Sequence, residues 1–102
     1  MLDAASRIAL YIAGYDEGAF YDDLRTIDAV CMNLVRIGEG AGDLSDPVRS
    51  AAPHLPWRRM QDMRNRIAHS YAGVKPGVVW DTATVRVPEL AAFLHTYFGR
   101  ES

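Results

Sequence analysis

The sequence predicts an all-α domain, an up-down bundle of four main helices plus one short helix. Apolar residues recur at alternating steps of three and four along separate stretches of the chain. Glycine and proline clusters fall between those stretches. No credible pair of strands, no internal repeat and no low-complexity segment competes with the helical pattern. At 102 residues the chain reads as one domain, 1–102, large enough for a single core.

In chain order, Ala5, Ile8, Ile12 and Tyr15 set a first helix over residues 3–15, with Asp3 placed as its N-cap. Gly14 and Gly18 bracket Asp16-Glu17 and predict the turn that follows. The second helix runs from about Tyr21 to Ala41 along Leu24, Ile27, Cys31, Leu34, Gly38 and Ala41, with Val30 and Ile37 widening the stripe. Gly38, Gly40 and Gly42 lie near its end, each lowering helix propensity by about 1 kcal/mol relative to alanine. They fit either a fraying terminus or a close helix–helix approach around Glu39. Ser45-Asp46-Pro47 predicts a short helix to about Ala52. Pro53-His54-Leu55-Pro56 predicts extended chain, because a residue before proline avoids the α region, and His54 reads as a loop histidine.

Trp57 starts the third long helix, with Trp57, Met60, Arg64, Ile67, Ala68 and Tyr71 on one side. The run from Ala72 to Gly77 breaks it. A last helical region covers Val78 to about Phe98, kinked or divided at Pro88.

Composition narrows the function. The chain is 49% hydrophobic and 24% charged, as in ordinary soluble globular proteins. Its net charge of −2 excludes a protein-wide basic field that would draw it to nucleic acid or anionic lipid. The charge is unevenly placed, however. Arg58, Arg59, Arg64 and Arg66 face only Asp62 between residues 57 and 71, a local anion-attracting segment on an acidic chain. The lone Cys31 excludes an intramolecular disulfide and a Cys-rich metal site, and its apolar neighbours predict a buried, inert thiol. Asp3 and Arg7 interrupt the opening apolar residues, and no run approaches the length of a membrane span. A cytoplasmic location without membrane contact is the expectation.

The densest polar stretch is Met63-Arg64-Asn65-Arg66-Ile67-Ala68-His69-Ser70-Tyr71. On a helical wheel Arg64, Asn65, Ala68 and His69 span about 140° of one side. Met60, Met63 and Ile67 occupy the neighbouring flank, so the polar group borders the core, while Asp62 and Arg66 project to the far side. A histidine exchanges protons near neutral pH, and an arginine is a fixed cation matched to phosphate oxygens. The pair suits RNA cleavage without a metal or other cofactor. Histidine takes the 2′-hydroxyl proton, arginine stabilises charge on the phosphoryl group, and Asn65 fixes the imidazole orientation or holds a phosphate oxygen. The competing reading makes His69 a boundary histidine and Arg64 an ion-pair partner at an interface.

Arg64, His69 and Tyr71 together resemble the Arg-x4-His-x-Tyr motif of the HepT-like toxins, within the HEPN superfamily of helical domains. Thr26 to Val30, Asn33-Leu34 and Ile37-Gly38-Glu39 resemble the family's second-helix signature. Leu55-Pro56-Trp57, Gly73-Val74, Val79-Trp80 and Val87 to Leu90 resemble segments around the motif. The likeness runs from Asp3 to about Phe98 and departs at Met32, Gly40 and Lys75, where arginine, alanine and an acidic residue are usual.

The resemblance implies a homodimeric, metal-independent endoribonuclease acting on RNA, with Arg64 and His69 catalytic and Asn65, Glu39 and Arg66 supporting RNA binding. It implies the toxin role in a type VII pair with an MntA-type nucleotidyltransferase antitoxin, which inactivates its partner by adenylylating the motif tyrosine, Tyr71. The alternative is a non-catalytic binding subunit that serves as substrate or regulator of the transferase.

Overall fold

A computed structural model describes residues 1–99, so residues 100–102 of the expected domain lie outside the described residues. Among these there is no strand, and no helix is long and apolar enough to cross a membrane. The elements are α1 (Leu2–Ile12), α2 (Glu17–Tyr21), α3 (Leu24–Asp43), α4 (Asp46–Ser50), α5 (Trp57–Ser70), α6 (Pro76–Asp81) and α7 (Val87–Gly99). A 3-10 turn, Tyr71–Gly73, follows α5, and a π-turn, Thr82–Arg86, joins α6 to α7. The body measures 41 × 29 × 19 Å.

The longest helix, α3, is the centre of the bundle. It packs most extensively on α5 and next on α1, and α1 in turn meets α7. Its buried face holds Ile27, Val30, Cys31, Leu34, Ile37, Gly38 and Ala41, as the stripe predicts, and also Asn33, whose amide donates to the Ala29 carbonyl at 2.9 Å. Leu24, expected on that stripe, is 73% exposed at the first position of α3. From the other elements, Ile8, Phe20, Ala52, Val79, Leu90 and Leu94 complete the core.

Several details differ from the sequence reading, most for a local reason. Asp3 is not the N-cap, which is Met1; Asp3 sits in the first turn and pairs with Arg7 and Arg36. The first helix stops at Ile12, where Gly14 takes φ +81°, a left-handed conformation that glycine adopts without strain. Gly18 is not part of a turn but lies inside α2, which Asp16 caps by accepting the Ala19 amide at 2.8 Å. The proline-flanked connector is a series of turns instead of extended chain. Leu55 N–H donates to the Ala52 carbonyl at 3.1 Å, and the Trp57 indole donates to the same carbonyl at 2.9 Å.

The last helical region begins at Pro76, two residues before the expected Val78. Pro88 lacks the N–H that would continue an α-ladder. Just before it, the Val87 amide reaches the Thr82 carbonyl in the wider i→i+5 pattern. The chain therefore passes the proline without dividing.

Candidate functional site

The glycine run near the end of α3 is a site of close approach, with the helix continuing through it to Asp43. A Cβ built on Gly38 would lie 2.4 Å from the Arg64 Cβ and 2.7 Å from the Met60 carbonyl oxygen. Only a residue without a side chain lets α5 rest against α3 there. Gly38 thus fixes where Arg64 leaves α5. One turn of contact sets the cation.

Arg64 is half-buried and reaches outward to two partners. Its Nη1 donates to Asn65 Oδ1 at 2.9 Å, and its Nη2 lies 3.6 Å from Glu39 Oε1. These residues, with Gly38, Asp43 and Gln61, line a shallow groove of about 320 Å³. Within one protomer this groove carries two carboxylates against one guanidinium, so alone it does not favour a polyanion.

The other predicted residues stand apart from the groove. His69 is exposed on the outer ridge of α5, about 140° round the helix from Arg64 and roughly 7.5 Å further along its axis. Tyr71 closes α5 as its C-cap residue, 45% exposed, and its hydroxyl donates to Asp28 on α3. Arg66 is exposed on the opposite flank, at the rim of a separate cavity that Arg59, Asp62 and Lys75 also line. The fold therefore joins Arg64, Asn65 and Glu39. It leaves Tyr71 tied to α3, and it places His69 and Arg66, about 60° apart, on the side of α5 turned away from that groove.

Beside Glu39 and Asp28, α3 also presents apolar side chains to solvent. Leu24 and Met32 are 73% and 63% exposed, and they share an azimuthal sector of about 80° with Asp28 and Glu39. Cys31, on the inner side of the same helix, is buried, and its thiol pKa is pushed up to about 11 by burial and then by the Asp28 charge. It takes no part in the chemistry. Sequence reasoning missed Asp28 as the tyrosine's partner. A carboxylate 43 residues from Tyr71 gives no spacing signal.

Much of the chain is also similar to known proteins. A Thermococcus cleftensis protein described as a probable ribonuclease HepT is 35% identical over 71 residues, which cover 70% of this chain and 64% of the relative. Two Methanocaldococcus jannaschii proteins provisionally described as RNases are 32% identical over 74 residues and 36% identical over 62. These alignments cover 72% and 61% of this chain, and 60% and 53% of the relatives. The chain thus spans less than two thirds of the length of each of the three. No solved structure matches it. A family model described as ribonuclease HepT-like matches residues 1–97, so the chain belongs to the HepT-like family.

Proposed function

We propose that this protein is a metal-independent endoribonuclease whose cleft forms between two copies of the chain. The observation that carries this is the incomplete groove of a single protomer. Arg64 is held in place over Gly38, while His69 is exposed about 140° round α5 and does not line that groove. A second copy across α3 and α5 brings another His69 and covers the exposed Leu24 and Met32. In the composite cleft a neutral His69 imidazole removes the proton of a ribose 2′-hydroxyl. The oxygen attacks phosphorus, the bond to the 5′-oxygen breaks, and that oxygen takes a proton from water. The products are a 2′,3′-cyclic phosphate and a 5′-hydroxyl. Arg64 stabilises the charge that builds on the phosphoryl oxygens, and Asn65 keeps the guanidinium oriented.

In this reading the protein is the toxin of a pair with an MntA-type nucleotidyltransferase, and adenylylation of Tyr71 is its off-switch. An added phosphate places negative charge beside the outer face where RNA must approach. The relatives' names support the ribonuclease class.

The test compares wild type with His69→Ala in RNA cleavage buffered with EDTA, alongside sedimentation to verify that both remain assembled. The expected result is loss of cleavage by about 10²–10⁴-fold in the variant. Equal cleavage by the two proteins overturns the assignment. No cleavage by either, with Tyr71 still modified by a co-expressed transferase, identifies a binding subunit instead.

A further inference from the structure

A cavity larger than that groove lies on the other flank of α5, away from Arg64. It has a volume of about 510 Å³, within the range of small-molecule sites, and is bounded by α3, α5, α6, the π-turn and the start of α7. Its floor is apolar, with Leu34 and Ile37 from α3, Met60 and Met63 from α5, and Val87 and Leu90 from α7. Its rim is cationic. Arg59, Arg66, Lys75 and Arg86 line it, opposed by the carboxylates of Asp62 and Asp81 alone.

None of these four cations takes part in an ion pair or side-chain hydrogen bond among the described residues, whereas Arg7, Arg36, Arg49 and Arg64 all do. Four cations without partners around one apolar cavity are a poor arrangement for an empty protein, since they repel one another. They are a good one for a bound anion. The π-turn is an independent sign, because such turns occur often at functional sites. Here it contributes both Thr82 and Arg86 to the wall.

We infer that this cavity binds a nucleotide unit, with the base on the apolar floor and the phosphate at the arginine rim. Methionine thioethers such as those of Met60 and Met63 make favourable contacts with aromatic rings. Guanidinium groups match phosphate oxygens in a fork geometry that an ammonium lacks. Asp62 and Asp81 are acceptors suited to ribose hydroxyls. Base, sugar and phosphate each meet their complement, which a fatty acid or a simple anion does not. The same chemistry is offered by a free nucleotide and by one residue of an RNA strand that continues past the cleft described above.

The experiment titrates the ¹⁵N-labelled full chain, carrying His69→Ala so that RNA survives, with AMP, adenosine, inorganic phosphate and a short oligoadenylate. AMP is expected to shift the amides of 73–75 and 82–87 saturably, and adenosine and phosphate to bind at least about tenfold more weakly. Adding Arg59→Gln with Arg86→Gln weakens AMP binding by about tenfold or more, with helicity unchanged because neither side chain has a partner. Val78→Trp, which fills the cavity from its rim, blocks AMP while leaving every cation in place. If AMP and the oligonucleotide bind alike, the occupant is a free nucleotide. If the oligonucleotide binds far more tightly and the double variant weakens it, the occupant is a strand residue.

The inference is overturned if neither AMP nor the oligonucleotide saturates at millimolar concentration. It is equally overturned if phosphate binds as tightly as AMP, or if the shifts map to 38–43 and 61–65. Because His69 is intact only in the separate cleavage assay, the two readings fail separately. Cleavage without cavity binding removes this one, and cavity binding without cleavage removes the nuclease assignment.

Discussion

The two flanks of α5 use arginine in opposite ways. On one, Arg64 is half-buried, tied to Asn65 and Glu39 and laid over a glycine that leaves it no room to shift. On the other, Arg59 and Arg66 are exposed, without partners, at the rim of a roomy apolar cavity. The same residue type in one 14-residue helix thus serves as a positioned group and as an open electrostatic surface. Burial and partners decide which, not the residue. In the proposed mechanism the positioned arginine acts on the transition state, while the open ones act on binding.

Charge-neutral substitutions on each flank sharpen that contrast. Arg64→Gln is expected to lower kcat for RNA cleavage by about 10²–10³-fold with little change in KM. Arg66→Gln should raise KM a few-fold and leave kcat alone, with a weaker salt dependence of binding. Steady-state kinetics at two salt concentrations distinguish the outcomes. Equal kcat losses from both would erase the difference between the flanks.

The next effect is on stability. Gly38→Ala forces a Cβ into the Met60 carbonyl and the Arg64 stem, and overpacking of this kind costs about 1–3 kcal/mol. Urea denaturation measures it. Gly40→Ala is the control. Its added Cβ would meet only the Met1 side chain, 2.4 Å from Cγ, which is free to swing away. Its gain in helix propensity keeps the net change within about 1 kcal/mol.

Smaller still is Glu39→Gln. The ion pair is 3.6 Å long and both side chains are substantially exposed, so stability should change by less than about 1 kcal/mol. Removing the carboxylate nonetheless takes an anion away from the groove, and RNA affinity should rise. A fall in affinity would show that Glu39 has a direct role in holding substrate.

The smallest effect concerns Asp23, far from either flank. Its pKa is lowered, chiefly by the Tyr15 hydroxyl that donates to it at 2.5 Å and then by the Thr26 amide. A depressed carboxylate pKa stabilises the fold above its ordinary value of 3.8 and loses that contribution as pH falls through the lowered value. Tyr15→Phe should therefore flatten the decline of Tm in that acidic range and leave its pH dependence near neutrality unchanged.

Much of the Arg64 flank was legible in the sequence, because a helix converts spacing directly into azimuth. The start of α5 at Trp57, the core stripe of α3 and the inert Cys31 follow from local pattern alone. The Gly38 contact was half legible. Three glycines near one terminus fit fraying as well as contact, and only the position of Met60 and Arg64 decides between them. The cavity beside Arg66 was not legible at all, since its lining runs from Leu34 to Leu90 across at least five separate elements. The placement of Arg66 away from Arg64 did follow from the wheel. That it faced a cavity instead of open solvent depended on Lys75 and Arg86, which no periodicity connects to it. The short α2 was missed although its Asp16 cap was visible, because the flanking glycines outweighed it.

The bare backbone at Gly38 also supplies a criterion for judging other sequences. A chain with arginine and histidine at motif spacing, but with any side chain opposite the arginine, must hold its two central helices further apart. Its arginine then leaves the helix at a different height and aims elsewhere. Glycine and arginine, 26 positions apart in this chain, therefore work as one two-letter word. A sequence that spells only the second letter has the motif without the geometry.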